Sequence, residues 1–477
     1  MPKSSELLSL PLPWRLALAA VAGLLLAAAY ALQPLWWAPW LAPALLIPAV
    51  SGDKRYAHWM GTLVGLLSIL FVARYYLSLS GIGLGLLILV LLRVLSWRLA
   101  ARLIEMALRK LPPVCAVFML PVLMAALETL TLIVSVHGAA GSLAYSQMEA
   151  LPVIQLAAMG GVPLIVFVVL LPGSLLGVWI ARRTTGSMHA PAIVVATLLA
   201  AAGLFAGLRL SASPLTHHIP ATLIVTDRFD GEPKDWNMVW RIYQPQIAAH
   251  AAIGGVTVLP EKIALLEGAS IAQAEQDVRA AAQAARATLV IGVETHADGI
   301  YRNRALIAAP DGSLRAYDKQ RLVPGFEARD TPGKTPLLVP VAGQIMGVAI
   351  CKDMHIPSIG RDYAQTAAFM AVPAWDFQGS WGQDGWMGAR MTMMRGIESG
   401  YAIARSARNG YLGVYDAYGR VIAEAPSSTQ ISVVQTNLHA GQVATPYARI
   451  GDAFGWLCCL LLAAAIVALR ARPDHIS

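Results

Sequence analysis

From about residue 14 to 210 the chain is a succession of long apolar runs with few charges. From about 220 to 450 the pattern changes to short β-branched runs alternating with polar, helix-forming stretches, and a last apolar run covers Ala453 to Leu469. A bilayer core takes about 20 apolar residues per helix. The first part therefore predicts seven spans, at about 16–33, 35–50, 57–78, 81–104, 113–136, 151–181 and 190–210, and the last run an eighth. The second run is short and holds Pro39, Pro43 and Pro48. The sixth is long and holds Pro163 and Pro172, which points to a kink or a re-entrant start. Leu16 to Leu32 has no small-residue cleavage site and is followed at once by further apolar runs, so it reads as a helix and not as a removed signal.

In the middle part, strands are predicted at Ala221–Thr226, Gly255–Leu259, Thr288–Val293, Tyr301–Ala309, Leu314–Tyr317, Met346–Cys351, Ala368–Val372, Ile403–Ser406, Leu412–Asp416, Val421–Ala423 and Ser432–Thr436. Helices are predicted at Asn237–Ala252, Ser270–Ala287 and Met387–Ser399, and Pro310-Asp311-Gly312 marks a hairpin turn. Strands alternating with helices, together with hairpins, describe a layered α/β domain.

Composition sharpens the division. The 477 residues are 57% hydrophobic and 13% charged, where a soluble protein carries roughly 25% charged residues. Four cysteines without regular spacing give neither a disulfide framework nor a zinc pattern. The net charge of +8 comes mostly from basic residues beside apolar spans, so no nucleic acid is needed to explain it. Those residues also orient the chain. With the N-terminus inside, Lys54, Arg55, the Arg98–Lys110 stretch, Arg182, Arg183 and the tail with Arg470 and Arg472 fall on the inner side, and His137–Leu151 on the outer side has no Lys or Arg. The positive-inside rule thus puts the middle domain outside the cytoplasm.

The candidate chemistry centres on Val348-Ala349-Ile350-Cys351-Lys352-Asp353, an apolar run that stops at a thiol. Cys115, Cys458 and Cys459 lie in apolar segments, which leaves Cys351 as the one cysteine in a polar setting; a half-buried structural thiol is the plain alternative. Upstream stand Glu261, in Leu259-Pro260-Glu261, and Lys319, in Tyr317-Asp318-Lys319. A thiol near pKa 8.5 needs help to ionise. A glutamate can take its proton, and a charged lysine can stabilise the thiolate and then a tetrahedral oxyanion. That is acyl transfer through a thioester. No cofactor is called for, and no metal: His217 and His218 are adjacent, and there is no His-x-x-x-His or Cys-x-x-Cys.

The order Glu, Lys, Cys, with Pro-Glu after a strand, Tyr-Asp-Lys after a hairpin and a strand running into Cys, resembles the nitrilase superfamily of carbon–nitrogen hydrolases. Within it the whole arrangement resembles the apolipoprotein N-acyltransferase family. The local matches are Leu143-Ala144-Tyr145-Ser146-Gln147, Tyr317-Asp318-Lys319-Gln320-Arg321-Leu322-Val323-Pro324, Arg395-Gly396-Ile397-Glu398 and Thr445-Pro446-Tyr447-Ala448-Arg449-Ile450-Gly451-Asp452. The resemblance implies a multi-pass α-helical membrane domain plus an α/β nitrilase-like domain, an α-β-β-α layered sandwich. Residues 1–212 would form the membrane domain, 213–447 the extracytoplasmic catalytic domain, and 448–477 a last span with a cytoplasmic tail. It implies a bacterial cytoplasmic (inner) membrane location and a periplasmic site. The implied partners are a phospholipid acyl donor and a diacylglyceryl-modified apolipoprotein whose N-terminal cysteine amine is the acceptor. The implied catalytic residues are Glu261, Lys319 and Cys351.

The chain departs from the family's pattern around the site. Leu259 stands where the family usually has Trp, Gly325-Phe326-Glu327 replaces Phe-Gly-Glu, and Lys352-Asp353 replaces an aromatic residue and Glu. Cys-x-Asp occurs in soluble amidases of the superfamily, so a membrane-anchored carbon–nitrogen hydrolase using water is the alternative activity. Glu327 either orients Lys319 or serves as a second acid or base, and Asp353 reads as a hydrogen-bonding support for the strand end. Trp236 resembles a tryptophan near the family's substrate entrance, with a core anchor as the alternative. Trp375, Trp381 and Trp386 either line an acyl-chain entrance or form an interfacial belt.

Overall fold

The computed structural model describes residues 7–78, 83–182, 188–212, 215, 217–377 and 384–472. The chain divides into two compact units: Met1–Val134, Gly141–Leu210 and Asp452–Ser477 form one, and Ser135–Ala140 with Ser211–Gly451 the other.

The first unit is helical. Its helices are α1 (Leu12–Ala29), α2 (Ala38–Val50), α3 (Lys54–Leu67), α4 (Leu70–Ser78), α5 (Gly83–Lys110), α6 (Pro113–Val134), α7 (Leu151–Ile154), α8 (Ala157–Arg182) and α9 (His189–Leu210), with a closing helix at Ala453–Ala471. Among the described residues, six helices are long and apolar enough to cross a membrane, and α3 with α4, bent by 48°, make up to a seventh. The second predicted span is α2, whose 13 residues rise only about 20 Å, short of a bilayer core of about 30 Å. The predicted break in the sixth span is real, but glycine makes it: Gly160 and Gly161 leave helical geometry, with Gly161 at φ +68. Pro163 then falls in the first turn of the continuing helix, where its missing N–H costs nothing.

The second unit is built on two sheets. Its strands are β1 (His217–Val225), β2 (Val256–Val258), β3 (Leu265–Glu267), β4 (Thr288–Ala297), β5 (Ile300–Ala308), β6 (Leu314–Asp318), β7 (Leu337–Val341), β8 (Gln344–Val348), β9 (Phe369–Trp375), β10 (Ala402–Arg408), β11 (Tyr411–Tyr415), β12 (Val421–Pro426) and β13 (Ser432–Ala440). One sheet runs β13-β1-β2-β4-β5-β6 with β3 paired to β4, and the other runs β12-β11-β10-β9-β8-β7. The pairs β1/β2, β2/β4, β8/β9 and β9/β10 are parallel.

Side-chain alternation decides which face meets what. Ile219, Ala221, Leu223 and Val225 of β1, Val290 of β4 and Ala305 and Ile307 of β5 pack into one core with Met346 and Val348 of β8, Ala371 of β9 and Ala404 of β10. The other face of the first sheet, with Leu289, Ile291, Val293 and Leu306, is covered by α10 (Trp236–His250) and α11 (Ala269–Ala285). On the second sheet, α13 (Asp384–Ser399) packs against β10 and β11, with α12 (Pro357–Asp362) beside it. The layers are α-β-β-α.

The sequence reading ran strand β8 up to Cys351. The strand ends at Val348, Ile350 is still extended, and Cys351 opens a 3-10 turn to His355. The β3 and β7 strands were not predicted; β3 is three residues long and β7 carries Pro340. Pro-Glu reaches its place because β2 ends beneath β4 at a glycine. A Cβ at Gly292 would lie 2.5 Å from both the Pro260 carbonyl oxygen and the Glu261 Cα. Gly292→Ala is therefore expected to lower the melting temperature of the purified chain, by about 1–3 kcal/mol of stability as for other overpacked sites. An unchanged melting curve would mean that this close approach is not needed.

Candidate active site

Three loops meet at the ends of the strands. Glu261 follows β2, Lys319 follows β6 and Cys351 follows β8, and they are 3%, 2% and 8% exposed. The Glu261 N–H donates to the Ala374 carbonyl at 3.2 Å, which ties the end of β2 to β9 of the facing sheet. Lys319 Nζ donates to Glu261 Oε1 at 2.7 Å and lies 2.9–3.0 Å from the two oxygens of Glu327. Asn303, in β5, donates from Nδ2 to Glu261 Oε1 at 2.5 Å and to Glu327 Oε1 at 2.6 Å. Glu327 Oε2 also accepts the Val323 N–H at 2.6 Å. One ammonium and one amide thus hold two carboxylates side by side in a buried setting.

Cys351 is forced into the left-handed region at φ +45, which costs a residue with a Cβ about 1–2 kcal/mol. Asp353 maintains the turn. Its buried carboxylate accepts the Ile350 N–H at 3.0 Å, the Gln320 N–H at 3.0 Å, the Arg321 N–H at 2.7 Å and the Tyr317 hydroxyl at 2.7 Å. One side chain therefore couples the cysteine turn to the loop that carries Lys319. Lys352, also buried, donates to the Leu322 carbonyl at 2.8 Å of the same loop. Burial and the nearby Lys319 push its ammonium down to about 8. The Cys351 Sγ lies 3.6 Å from the Trp375 carbonyl.

Burial pushes the Cys351 thiol well above its ordinary value, the Glu261 carboxylate adds to that, and Lys319 pulls the other way. For Lys319, burial opposes the charge, but Glu261, Cys351 and Glu327 overcome it and raise the lysine well above its ordinary value. Burial also opposes ionised Glu327, yet Lys319 and Lys262 hold it below the usual carboxylate range. At rest the site is a protonated thiol beside ionised Glu327 and a fixed ammonium. A base within reach of a thiol, and a cation beside it, can support nucleophilic attack on a carbonyl.

Among the other residues singled out in the sequence, Trp375 flanks the thiol, its ring under the Arg408 guanidinium at 4.0 Å. Trp236 is not brought to the site. It lies 2% exposed in the core under α10 and α11, stacks on Trp240 at 5.0 Å and donates to Asp277 Oδ2 at 2.7 Å. It is the core anchor of the two readings. Trp381 lies outside the described residues. Trp386 faces the Arg390 guanidinium at 5.0 Å.

Several site residues were missed. Asn303 is an amide in the middle of a strand, where such residues are depleted, and that is the signal that marks it. Asp376 forms a buried ion pair with Arg405 at 2.5 Å, and both bear on the Cys351 thiol. Lys262, directly behind Glu261, sits among Glu294, Asp330, Glu327 and Glu232.

The family model described as apolipoprotein N-acyltransferase N-terminal domain matches residues 22–175, and that described as carbon-nitrogen hydrolase matches residues 251–444. Together the two matches support an apolipoprotein N-acyltransferase in the nitrilase superfamily. An apolipoprotein N-acyltransferase from Geobacter metallireducens is 25% identical over 139 residues, 28% of this chain and 25% of that protein, so the match spans a quarter of that relative's length. Among solved structures, a CN-hydrolase superfamily protein from Xanthomonas campestris aligns at 17% identity and a TM-score of 0.39, covering 55% of this chain and 100% of that one. An amidase from Nesterenkonia sp. aligns at 16% identity and a TM-score of 0.42, covering 52% and 99%. Six long apolar helices and this family fit a multi-pass membrane protein.

Asp353 gives a test with a definite sign. Burial raises its carboxyl to about 6, against the hydrogen bonds that favour its charge; an unfolded aspartate titrates near about 3.9. Its stabilising contribution is then present below about pH 4 and is lost as the pH rises through about 6. The stability of the wild type relative to Asp353→Asn should fall across that window, by about 3 kcal/mol for a shift of this size. Melting curves of both proteins at several pH values measure it; a relative stability that rises with pH there would overturn the assignment.

Proposed function

We propose that this protein is a membrane N-acyltransferase that moves an acyl chain from a phospholipid, through a thioester on Cys351, onto the N-terminal cysteine amine of diacylglyceryl-modified apolipoproteins. The observation that carries the reading is the buried Lys319 bridge between Glu261 and Glu327 beside Cys351, in a chain whose helical part matches the acyltransferase family.

In this mechanism Glu261 takes the Cys351 proton as Sγ attacks the ester carbonyl. Lys319 faces the oxyanion that forms. The tetrahedral intermediate collapses, the C–O bond breaks, and the lysophospholipid alcohol leaves with the proton from Glu261. The acceptor amine then attacks the thioester, Glu261 accepts a proton from it, the C–S bond breaks and the thiol is re-formed. A thiol protonated at rest fits this cycle, because the proton is transferred only as the bond to carbon forms. Lys319 acts differentially, since negative charge on sulfur and oxygen is greater in the transition state than in the bound ester.

Intact mass of the purified protein after incubation with phospholipid tests the reading. A fatty-acyl adduct at Cys351 is expected, lost in Cys351→Ser and slowed about a hundred- to a thousandfold in Lys319→Met. Glu261→Gln should be nearly as slow as Cys351→Ser. No adduct from any phospholipid, with ammonia released from a simple carboxamide, would make the protein a hydrolase instead.

The basic loops support a bacterial inner-membrane protein with its catalytic unit on the periplasmic side. An added cysteine at Asp298, exposed in the β4–β5 turn, should react with an impermeant maleimide in intact cells. One at exposed Arg55 should react only after permeabilisation. The reverse pattern would put the catalytic unit in the cytoplasm.

A further inference from the structure

Lys262 has no place in the mechanism above, yet it is one of the most constrained side chains in the molecule. It is 5% exposed and sits at φ +50, directly after Glu261. Its backbone carbonyl accepts from Arg408 Nη1 at 3.0 Å. Its ammonium donates to Asp330 Oδ2 at 2.9 Å and to Glu294 Oε1 at 3.3 Å, and lies 3.5 Å from Glu232 and 3.7 Å from Glu327 Oε1. Glu327 is also the carboxylate that holds Lys319. Glu327 therefore faces the ammonium groups of both Lys319 and Lys262; Lys352 also bears on Glu327, and Arg408 on Glu261, without an ion pair to either.

The charge balance gives this contact its meaning. Among the groups in direct ion pairs, Glu261 and Glu327 against Lys319 alone leave an excess negative charge in a buried site, which one of the two acids would relieve by taking a proton. Lys262 removes that excess. Around Lys262 the remaining charged groups are Glu294, Asp330 and Glu232, and Arg329, which is bonded to Glu294 at 2.5 and 3.1 Å and lies 3.5 Å from Glu232. Asp330 is raised to about 6, by burial first and by its neighbour Glu294, so the outer group can relieve its own excess at Asp330. If Glu327 took a proton instead, Lys319 would be left with Glu261 as its one carboxylate. That tighter pair would make Glu261 a poorer acceptor for the thiol proton.

We propose that Lys262 is a positioning residue for the proton transfer from Cys351: it supplies Glu327 with a counter-charge, so that Lys319 stays shared between two carboxylates and Glu261 remains available to the thiol. The inference rests on the reading of Cys351 as nucleophile and Glu261 as base.

The test measures carbamidomethylation of Cys351 by iodoacetamide in the full chain in detergent, quantified by peptide mass across the pH range. In wild type the rate should have a lower limb set by the carboxylate pair. In Lys262→Met that limb should move up by about one pH unit, which lowers the rate below it about tenfold. Lys262→Arg should restore the wild-type curve. In a Glu327→Gln background, Lys262→Met should add nothing, because no charge remains at 327 to balance. A Lys262→Met curve that superimposes on wild type, or that shifts equally with and without Glu327, would overturn the inference. Should Lys262→Met fail to melt cooperatively, Glu294→Gln gives the second arm. It removes a competing carboxylate from Lys262 and should move the limb downward; an unmoved or raised limb would overturn the proposal. Failure of the underlying reading looks different: Glu261→Gln would then leave the wild-type curve unchanged. A limb that needs Glu261 but ignores Lys262 defeats only the present inference.

Discussion

A buried ammonium needs carboxylates, and the catalytic unit is arranged around that requirement. Lys319 is 2% exposed. Removing one partner of a buried ion pair typically costs about 3–5 kcal/mol, because the other charge is left without compensation. Glu261 and Glu327 supply the compensation from the end of β2 and from the loop behind β6, and Asn303 in β5 spans both. Each group comes from a different part of the chain, so the network forms only when the first sheet is in register and its loops are closed. The backbone conforms to it: Lys262 and Cys351 both occupy positive φ, a conformation that local preference opposes.

The same constraint shapes the nucleophile. Burial that makes Lys319 depend on its carboxylates also holds the Cys351 thiol protonated. A free thiolate would react with any electrophile that entered; a thiol held protonated would react only as its proton leaves. Asp353 makes that placement rigid. It joins the turn at Ile350 to Gln320 and Arg321, so the cysteine and the lysine loop are fixed to each other through a single buried carboxylate.

Much of this was legible in the sequence where physics is local. Short β-branched runs located most strands of both sheets, and the Ala- and Gln-rich stretch at 270–287 gave α11 within two residues. Glu261, Lys319 and Cys351 stood out because each followed a strand end or a strand-flanked loop, and Glu327 through the family resemblance. What escaped depends on distant partners. Asn303 and Lys262 are ordinary polar residues until folding brings Glu327 to both. The end of β8 was placed three residues too far because apolar Ala349 and Ile350 continue the strand's pattern while the hydrogen bonds of Asp353 to the Ile350 N–H already define a turn. Trp236 was ambiguous for a related reason: its indole can sit in a core or at an entrance, and Asp277, 41 residues on, decides between them.

The ion network itself does not distinguish acyl transfer from hydrolysis, since a thioester on Cys351 would be open to an amine or to water by the same steps. Selection between them must come from what reaches the thioester. Ser135–Ala140 belongs to the catalytic unit although the segment directly continues α6, a long apolar helix. The Ala139 N–H donates to the His355 carbonyl at 2.9 Å, at the far end of the turn that Cys351 opens. The chain leaving that helix is thus hydrogen-bonded into the nucleophile's own turn. The turn is therefore fixed at both of its ends, by Asp353 at Ile350 and by Ala139 at His355.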